Sequence, residues 1–333
     1  MRSVLRLWFS RVGMMLAAGF LVVALAWLPA GIVQIEGDGR PAGVVWGVRT
    51  EPMQPFVLAW DPGSESKVRA RWSFAAYALA VRTYLRDLAA GQVMGYTLEW
   101  LNGREVPVAY PVLPRVLEDS LVSLRLLSQA LVLGMATGFG LGLLSLRRGA
   151  ARGTAFGLSV AGMALPDFVV VMLLQMLTIF THRHFGVRLY SVLGPGGGER
   201  GWLLPLVALS LGPMAYTARL VAAGLDEVMR ADYIRTARAK GLPEVRVVLK
   251  HGLAVALGQV LAGLPTLLSL TLSSLVVVEV LCNVNGLGAA LLANDSLPLL
   301  ATVGLVFCLW FGVLDGVANT LRILANPRLR EGS

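Results

Sequence analysis

The chain has 333 residues, of which 56% are hydrophobic and only 15% charged, and its formal net charge is +9. A soluble domain carries about 25% charged residues, so the composition excludes an ordinary soluble enzyme and indicates an integral membrane protein. The cations do not form one basic face but fall in short segments between apolar runs, which argues against nucleic acid as a partner and for membrane topology signals.

In chain order, residues 1–33 are read as a cytoplasmic N-terminus and a first span. Arg2, Arg6 and Arg11 precede an apolar run over 12–33. A signal peptide would have an apolar core of about 7–15 residues and a small-residue cleavage site. This run is longer and lacks a clean A-x-A, so it reads as a retained span whose start the arginines hold inside. Residues 34–119 form a polar extracytoplasmic segment containing seven prolines. Within it Phe74, Tyr77, Val81, Tyr84 and Leu88 recur every three or four residues. That spacing predicts a helix with one apolar stripe, stopped at Gly91 and packed on the external face of the bundle.

Residues 120–323 hold five further predicted spans, over 120–146, 154–180, 202–223, 253–281 and 298–323. Each exceeds the about 20 residues needed to cross about 30 Å of hydrocarbon. Six spans with the N-terminus inside place residues 147–152, the loop 226–251 and the tail 324–333 in the cytoplasm. Those are three of the most basic short segments. Pro166, Pro205, Pro213 and Pro265 interrupt the apolar pattern, and Gly138, Gly140 and Gly142 permit close helix approach. Arg125 and Arg219 sit near span ends, where a long side chain can snorkel. Four carboxylates, Asp167, Glu279, Asp295 and Asp315, lie in or beside spans, where such groups are costly. Asp167 and Asp315 read as partners of a helix end or an arginine. For Glu279 a structural and a functional role stay equally open.

No enzyme site assembles. The G-x-x-x-x-G-K-[ST] phosphate loop, H-E-x-x-H, C-x-x-C and G-x-S-x-G are all absent from the sequence. His182 and His184 would share a face of an extended segment, but no Cys or carboxylate stands near to complete a metal site. Cys282 and Cys308 fall in different predicted layers, so no structural disulfide is expected.

The loop 226–251 is the one long charged interruption after residue 120, with six Lys/Arg and four acids. Residues 232–240 are helix-permissive and Gly241-Leu242-Pro243 is a stop signal, because glycine suits the residue after a helix and proline cannot continue it. Residues 244–251 are again helix-competent. The loop therefore reads as helix, tight turn, helix, a shape suited to docking into a partner's groove.

The run Asp232-Tyr233-Ile234-Arg235-Thr236-Ala237-Arg238-Ala239-Lys240-Gly241-Leu242 resembles the EAA loop of ABC importer permeases. It is most similar to the dipeptide/oligopeptide/nickel branch, whose version is close to D-Y-[VI]-R-T-A-R-A-K-G. Leu165-Pro166-Asp167-Phe168, Ala218-Arg219-Leu220, Val277-Val278-Glu279-Val280, Gly286-Leu287-Gly288, Asp295-Ser296-Leu297-Pro298 and Asn326-Pro327-Arg328-Leu329-Arg330 resemble further landmarks of that branch, in order. Asn285, Cys282 and Arg125 depart from its pattern.

The resemblance implies an all-α integral membrane protein with six transmembrane helices, the type I ABC importer permease fold, and an external segment between spans 1 and 2. It implies a transport subunit of the cell membrane with both termini cytoplasmic, not an enzyme, and with no cofactor of its own; ATP and magnesium belong to partner subunits. Expected partners are a second related permease forming a heterodimer, two cytoplasmic ATP-binding subunits, an extracytoplasmic solute-binding protein and membrane lipid. Tyr233, Arg235, Thr236, Ala237, Lys240 and Gly241 are the expected coupling residues. Glu279, Gly286, Gly288 and Asp295 are candidates for the translocation path or its gate. A short peptide is the expected cargo. A stand-alone secondary transporter or channel is the alternative; it would need no docking loop and should show internal repeats, which the sequence does not display.

Overall fold

The computed structural model describes residues 2–35, 69–101, 104–146, 150–187, 199–241, 243–248, 252–292 and 296–325. The first half contains α1 (Arg2–Ala26), a 3-10 turn (Leu28–Gly31), β1 (Ile32–Ile35), β2 (Arg69–Trp72), α2 (Phe74–Ala89), β3 (Met94–Leu101), β4 (Arg104–Pro111) and α3 (Val112–Leu144). The second contains α4 (Ala150–Ala164), α5 (Asp167–Phe185), α6 (Glu199–Met229), α7 (Asp232–Ala239), α8 (Glu244–Val247), α9 (Leu253–Leu281), α10 (Leu287–Leu292) and α11 (Leu297–Ala325). Among the described residues six helices are long and apolar enough to cross a membrane, within α1, α3, α5, α6, α9 and α11.

Two spans differ in outline from their sequence reading. The apolar run 12–33 does not continue as helix to its end, because α1 stops at Ala26 and the 3-10 turn with Pro29 leads into β1. The predicted span 154–180 is two helices. Pro166 adopts an extended conformation (φ −61, ψ 142) that ends α4 and opens α5. Proline disfavours helical geometry in the residue before it and lacks the N–H that helix continuation needs. The crossing helix is therefore α5, preceded by the shorter apolar α4.

The chain divides into two compact units. One comprises Met1–Val12, Leu121–Ala289 and Trp310–Ser333; the other comprises Gly13–Ser120 and Ala290–Leu309.

In the first unit α6 is central, with α3, α4 and α9 packed around it. Gly134, Gly138 and Gly142, one helical turn apart on α3, meet Pro213, Met214 and Val221 of α6, and a methyl group at any of them would collide with that helix. Small residues at this spacing let helices pack closely where lipid offers no hydrophobic drive for association. Gly140, between them in sequence, faces open space. In the same unit, Arg11 of α1 pairs with the buried Asp315 of α11 at 2.5 Å, and Trp8 donates to Thr320 Oγ1 at 3.2 Å.

The second unit holds the segment between the first and second spans. Helix α2 has the predicted stripe and ends at Ala90–Gly91, with Gly91 left-handed (φ +70). Its face is pinned by Tyr77, whose hydroxyl donates to Ala24 O (3.0 Å), and by buried Tyr84, stacked 5.3 Å from Trp27. Two antiparallel ribbons, β1–β2 and β3–β4, accompany it. They add short strands to a polar stretch that the sequence reading left without assigned structure. Pro107 and Pro111 fit in β4 because a two-stranded ribbon leaves one edge of each strand without ladder bonds.

Candidate functional site

Helix α7 opens after Ala231, which is extended (φ −70, ψ 146), with Asp232 in the first turn. It closes on Lys240, whose N–H donates to Thr236 O at 3.1 Å, and on Gly241, whose N–H donates to Arg238 O at 2.9 Å. Gly241 is left-handed, at φ +75. An L side chain there is strained, so glycine at this position is a backbone requirement.

Ile234 is fully buried and anchors α7. It packs with Val228 near the end of α6 and Val247 of α8, and Met229, Ala231 and Val255 close around that cluster. The rest of α7 is largely exposed and polar: Tyr233, Arg235, Thr236, Arg238 and Lys240 are all exposed. Ala237 lies in the helix between them. Thr236 Oγ1 donates back to Asp232 O (3.2 Å). The pairs Arg230–Asp226 (2.7 Å) and Arg235–Asp232 (3.5 Å) are solvent-exposed and contribute little to stability. Helix α7 is thus a short amphipathic rod, fixed by one isoleucine to the segments that become α6 and α9, with a basic and aromatic face outward. The structure places all six predicted loop residues on this one element or its cap. Ile234, its anchor, was not singled out in the sequence; one isoleucine among cations at helical spacing is the signal that could have found it.

The second candidate cluster lies where α9 ends. Glu279 is fully buried. Its backbone carbonyl accepts from Val284 N–H at 2.8 Å, and its Oε2 accepts from Gly288 N–H at 2.7 Å. Leu287 N–H, the neighbouring donor, is taken by Ser123 Oγ of α3 at 2.8 Å. Two N–H groups that open α10 are therefore capped by Ser123 and by a carboxylate, which also complements the helix dipole. A Cβ at Gly286 would lie 2.5 Å from the Glu279 carboxylate, and one at Gly288 would lie 2.6 Å from Val276 Cα. The structure thus brings Glu279, Gly286 and Gly288 into one closed turn. Asp295 lies outside the described residues. Ser123 carried no sequence signal, since its partner is 164 positions away.

Asp167 Oδ2 accepts from Ser274 Oγ at 2.7 Å, and Asp315 is engaged by Arg11 and by Asn319. Arg125 sits 5.1 Å over the Trp202 ring. His182 and His184 fall in the last turn of α5, not on an extended segment, so they do not share a face. No cluster of three or more potential metal ligands occurs among the described residues.

Comparison with known proteins adds the following. Residues 130–324 match the family model described as binding-protein-dependent transport system inner membrane component. The dipeptide transport system permease protein DppB of Lactococcus lactis subsp. cremoris (strain MG1363) is 32% identical over 225 residues, covering 66% of this chain and 72% of that protein. The oligopeptide transport system permease protein OppB of Escherichia coli (strain K12) is 36% identical over 188 residues, covering 53% of this chain and 58% of that protein. Among solved structures, the inward-facing MetNI methionine ABC transporter aligns with a TM-score of 0.50 at 16% identity, covering 66% of this chain and 100% of that one, which bears on the fold alone.

Proposed function

This chain belongs to the family of binding-protein-dependent transport system inner membrane components, and from that premise we propose that α7 is the element through which an ATPase drives it. The chain is a multi-pass membrane permease of an ABC importer, a transport component and not an enzyme. Such a permease works with ATP-binding and substrate-binding partners. The proposal extends to their arrangement: a heterodimer of two related permeases embedded in lipid in the cell membrane, two ATPases on the α7 side, and a solute-binding protein on the other. Both termini and α7 face the cytoplasm in this reading, as the basic segments favour. ATP and magnesium act in the ATPases. The cargo is a short peptide, the substrate class in the names of the two relatives.

One observation carries the coupling role. Ile234 ties α7 at once to the end of α6, to α8 and to the start of α9. A push on the outward face of α7 is therefore delivered to two spans together. Tyr233, half exposed, is the aromatic anchor for the partner, since such residues dominate interface energetics. Arg235 and Lys240 supply polar contacts, Thr236 and Ala237 a close-fitting surface, and Gly241 the turn that ends the rod. Opening and closing follow from alternating access: nucleotide closes the ATPase dimer, α7 moves, and α6 and α9 rock with it. At the far end of α9 the Glu279–Gly286–Gly288 turn moves as a unit, and we assign it, with Asp295, to the gate of the path.

Co-purification with the ATPase subunits tests the docking role. Gly241→Pro forces φ to about −65° where the native value is +75. It should abolish ATPase association while membrane insertion stays intact. Unaltered association and transport would overturn the docking role of α7.

A further inference from the structure

Helix α2 lies across the ends of two spans. Ser73 N–H donates to Gly31 O at 2.7 Å, and the Tyr77 hydroxyl donates to Ala24 O at 3.0 Å. Tyr84 meets the Trp27 ring at 5.3 Å and hydrogen-bonds Thr302 of α11 at 3.0 Å. All of these residues belong to the second unit. From Tyr77 to Tyr84 the helix rises about 10 Å, but its contacts on the first span move only from Ala24 to Trp27, about 4.5 Å of helical rise. A helix running beside α1 would advance along it residue for residue. Ala24 is two residues inside the end of the first span, and Thr302 is five residues past the start of the last one. At 1.5 Å per residue both contacts lie about 3–8 Å below the span ends. That is the level at which headgroups give way to acyl chains.

Around α2 the residue types sort by direction. At about 100° per residue, Phe74, Ala78, Val81, Leu85 and Leu88 share a sector of about 80° without a polar group. Phe74 is 68% exposed and Leu85 40%. Ala76, Thr83 and Asp87 fall on the opposite side. Tyr77 and Tyr84 hold the side between them against α1 and α11. Arg82 and Arg86 occupy the remaining side, both exposed, with Leu79 as the one large apolar residue beside them. A helix with an apolar side, an opposed polar side and arginines at the rim is laid out for a membrane surface. The lipid that surrounds the spans continues onto the apolar side at this level. Trp72, Phe74 and Tyr77 gather at the start of the helix with ring centroids 5.8–6.3 Å apart, the residue types of a membrane–water boundary.

We infer that α2 is an interfacial membrane helix. Its Phe74–Ala78–Leu85 side lies among the acyl chains next to the headgroups of the leaflet in which α1 ends, and Arg82 and Arg86 bind the lipid phosphates of that leaflet. Among the described residues neither arginine has an acidic partner. Two like charges one turn apart repel, and phosphates supply the counter-charge. The long arginine stems let the guanidinium groups reach the phosphate level while the helix stays lower. A protein partner seated on the apolar side would need α2 lifted clear of the bilayer, against the depth of its contacts at Ala24 and Thr302. The helix thereby ties the segment after the first span to one leaflet.

Spin labelling of the full chain in vesicles of phosphatidylglycerol and phosphatidylcholine tests this, with Cys282→Ala and Cys308→Ala removing the native thiols. Nitroxides on Ala78→Cys and Leu85→Cys should collide more with oxygen, which concentrates among acyl chains, than with a water-soluble nickel chelate. On Thr83→Cys and Asp87→Cys the preference should reverse. Arg82→Gln and Arg86→Gln should each loosen phosphatidylglycerol, titrated by native mass spectrometry, about fivefold, the weight of one basic side chain at an anionic membrane surface. Arg82→Lys, which keeps the charge, should retain most of the binding. An unchanged melting temperature shows that these variants remain folded. A label at position 85 that meets the nickel chelate as readily as one at 83, or that is shielded from both reagents, would overturn the interfacial placement. Undiminished phosphatidylglycerol binding in a folded double variant, Arg82→Gln with Arg86→Gln, would overturn the phosphate contact. The readout needs no ATPase and no cargo, so its failure would leave the docking role of α7 untouched.

Discussion

Gly286 and Gly140 show how a single residue's surroundings decide what a methyl group does. At Gly286 a Cβ would press into the Glu279 carboxylate at 2.5 Å, in a turn that is already closed by hydrogen bonds. At Gly140 it meets nothing within 4 Å. Gly286→Ala should therefore lower the melting temperature, and displacing Glu279 from the Gly288 N–H would cost about 1–3 kcal/mol. Gly140→Ala should leave stability unchanged or raise it by up to about 1 kcal/mol through helix propensity. Thermal melting of the two variants side by side reads the contrast. Tyr84 offers a second residue-scale test. Burial pushes its hydroxyl up from 10.0 to about 12, against a smaller lowering by the hydrogen bond to Thr302. Thr302 spends its own proton on Pro298 O at 2.7 Å, so Tyr84 is the donor to Thr302, at 3.0 Å. A folded-state value above the unfolded one means that this contribution is complete below pH 10 and is lost as pH rises toward 12. Tyr84→Phe should cost about 1 kcal/mol at neutral pH and flatten the melting temperature between those limits.

At the scale of elements, the pair Arg11–Asp315 joins the start of α1 to α11. Removing one partner of a buried ion pair strands the other, and the usual cost is about 3–5 kcal/mol. Asp315→Leu alone should therefore lower the melting temperature more than the double change Arg11→Met with Asp315→Leu. The same scale shows what the sequence made legible. Helix α7 was readable because its stop signal, Gly241 with Pro243, and its charges are local. Helix α2 was readable because five apolar residues recur at helical spacing. The division of 154–180 into α4 and α5 was not read, although Pro166 was noted: a proline inside an apolar run kinks some helices and ends others, and neighbouring helices decide which. Pro205, Pro213 and Pro265 illustrate the other outcome, each lying inside a continuous helix. The β1–β2 ribbon was hidden because pairing between 32–35 and 69–72 depends on partners far apart in the chain, whereas the β3–β4 ribbon was missed although Asn102-Gly103, a local hairpin signal, stands between its strands.

For the whole molecule, the spans and the family could be read from the sequence, because hydrocarbon thickness imposes a length and the loop motif is contiguous. The joints could not. Ile234 matters through Val228 and Val247, and Glu279 through Gly288, and these contacts exist only after folding. In the proposed mechanism the Ile234 contacts let force applied at α7 reach α6 and α9 together. The most direct measurement of that claim is photo-crosslinking in membranes containing the assembled importer. A benzoylphenylalanine placed at Tyr233 should crosslink to an ATP-binding subunit, while the same probe at Phe311, exposed on the membrane-spanning α11, should not. Crosslinks from position 233 only to this chain or to lipid, or equal capture of the ATPase from both positions, would contradict it.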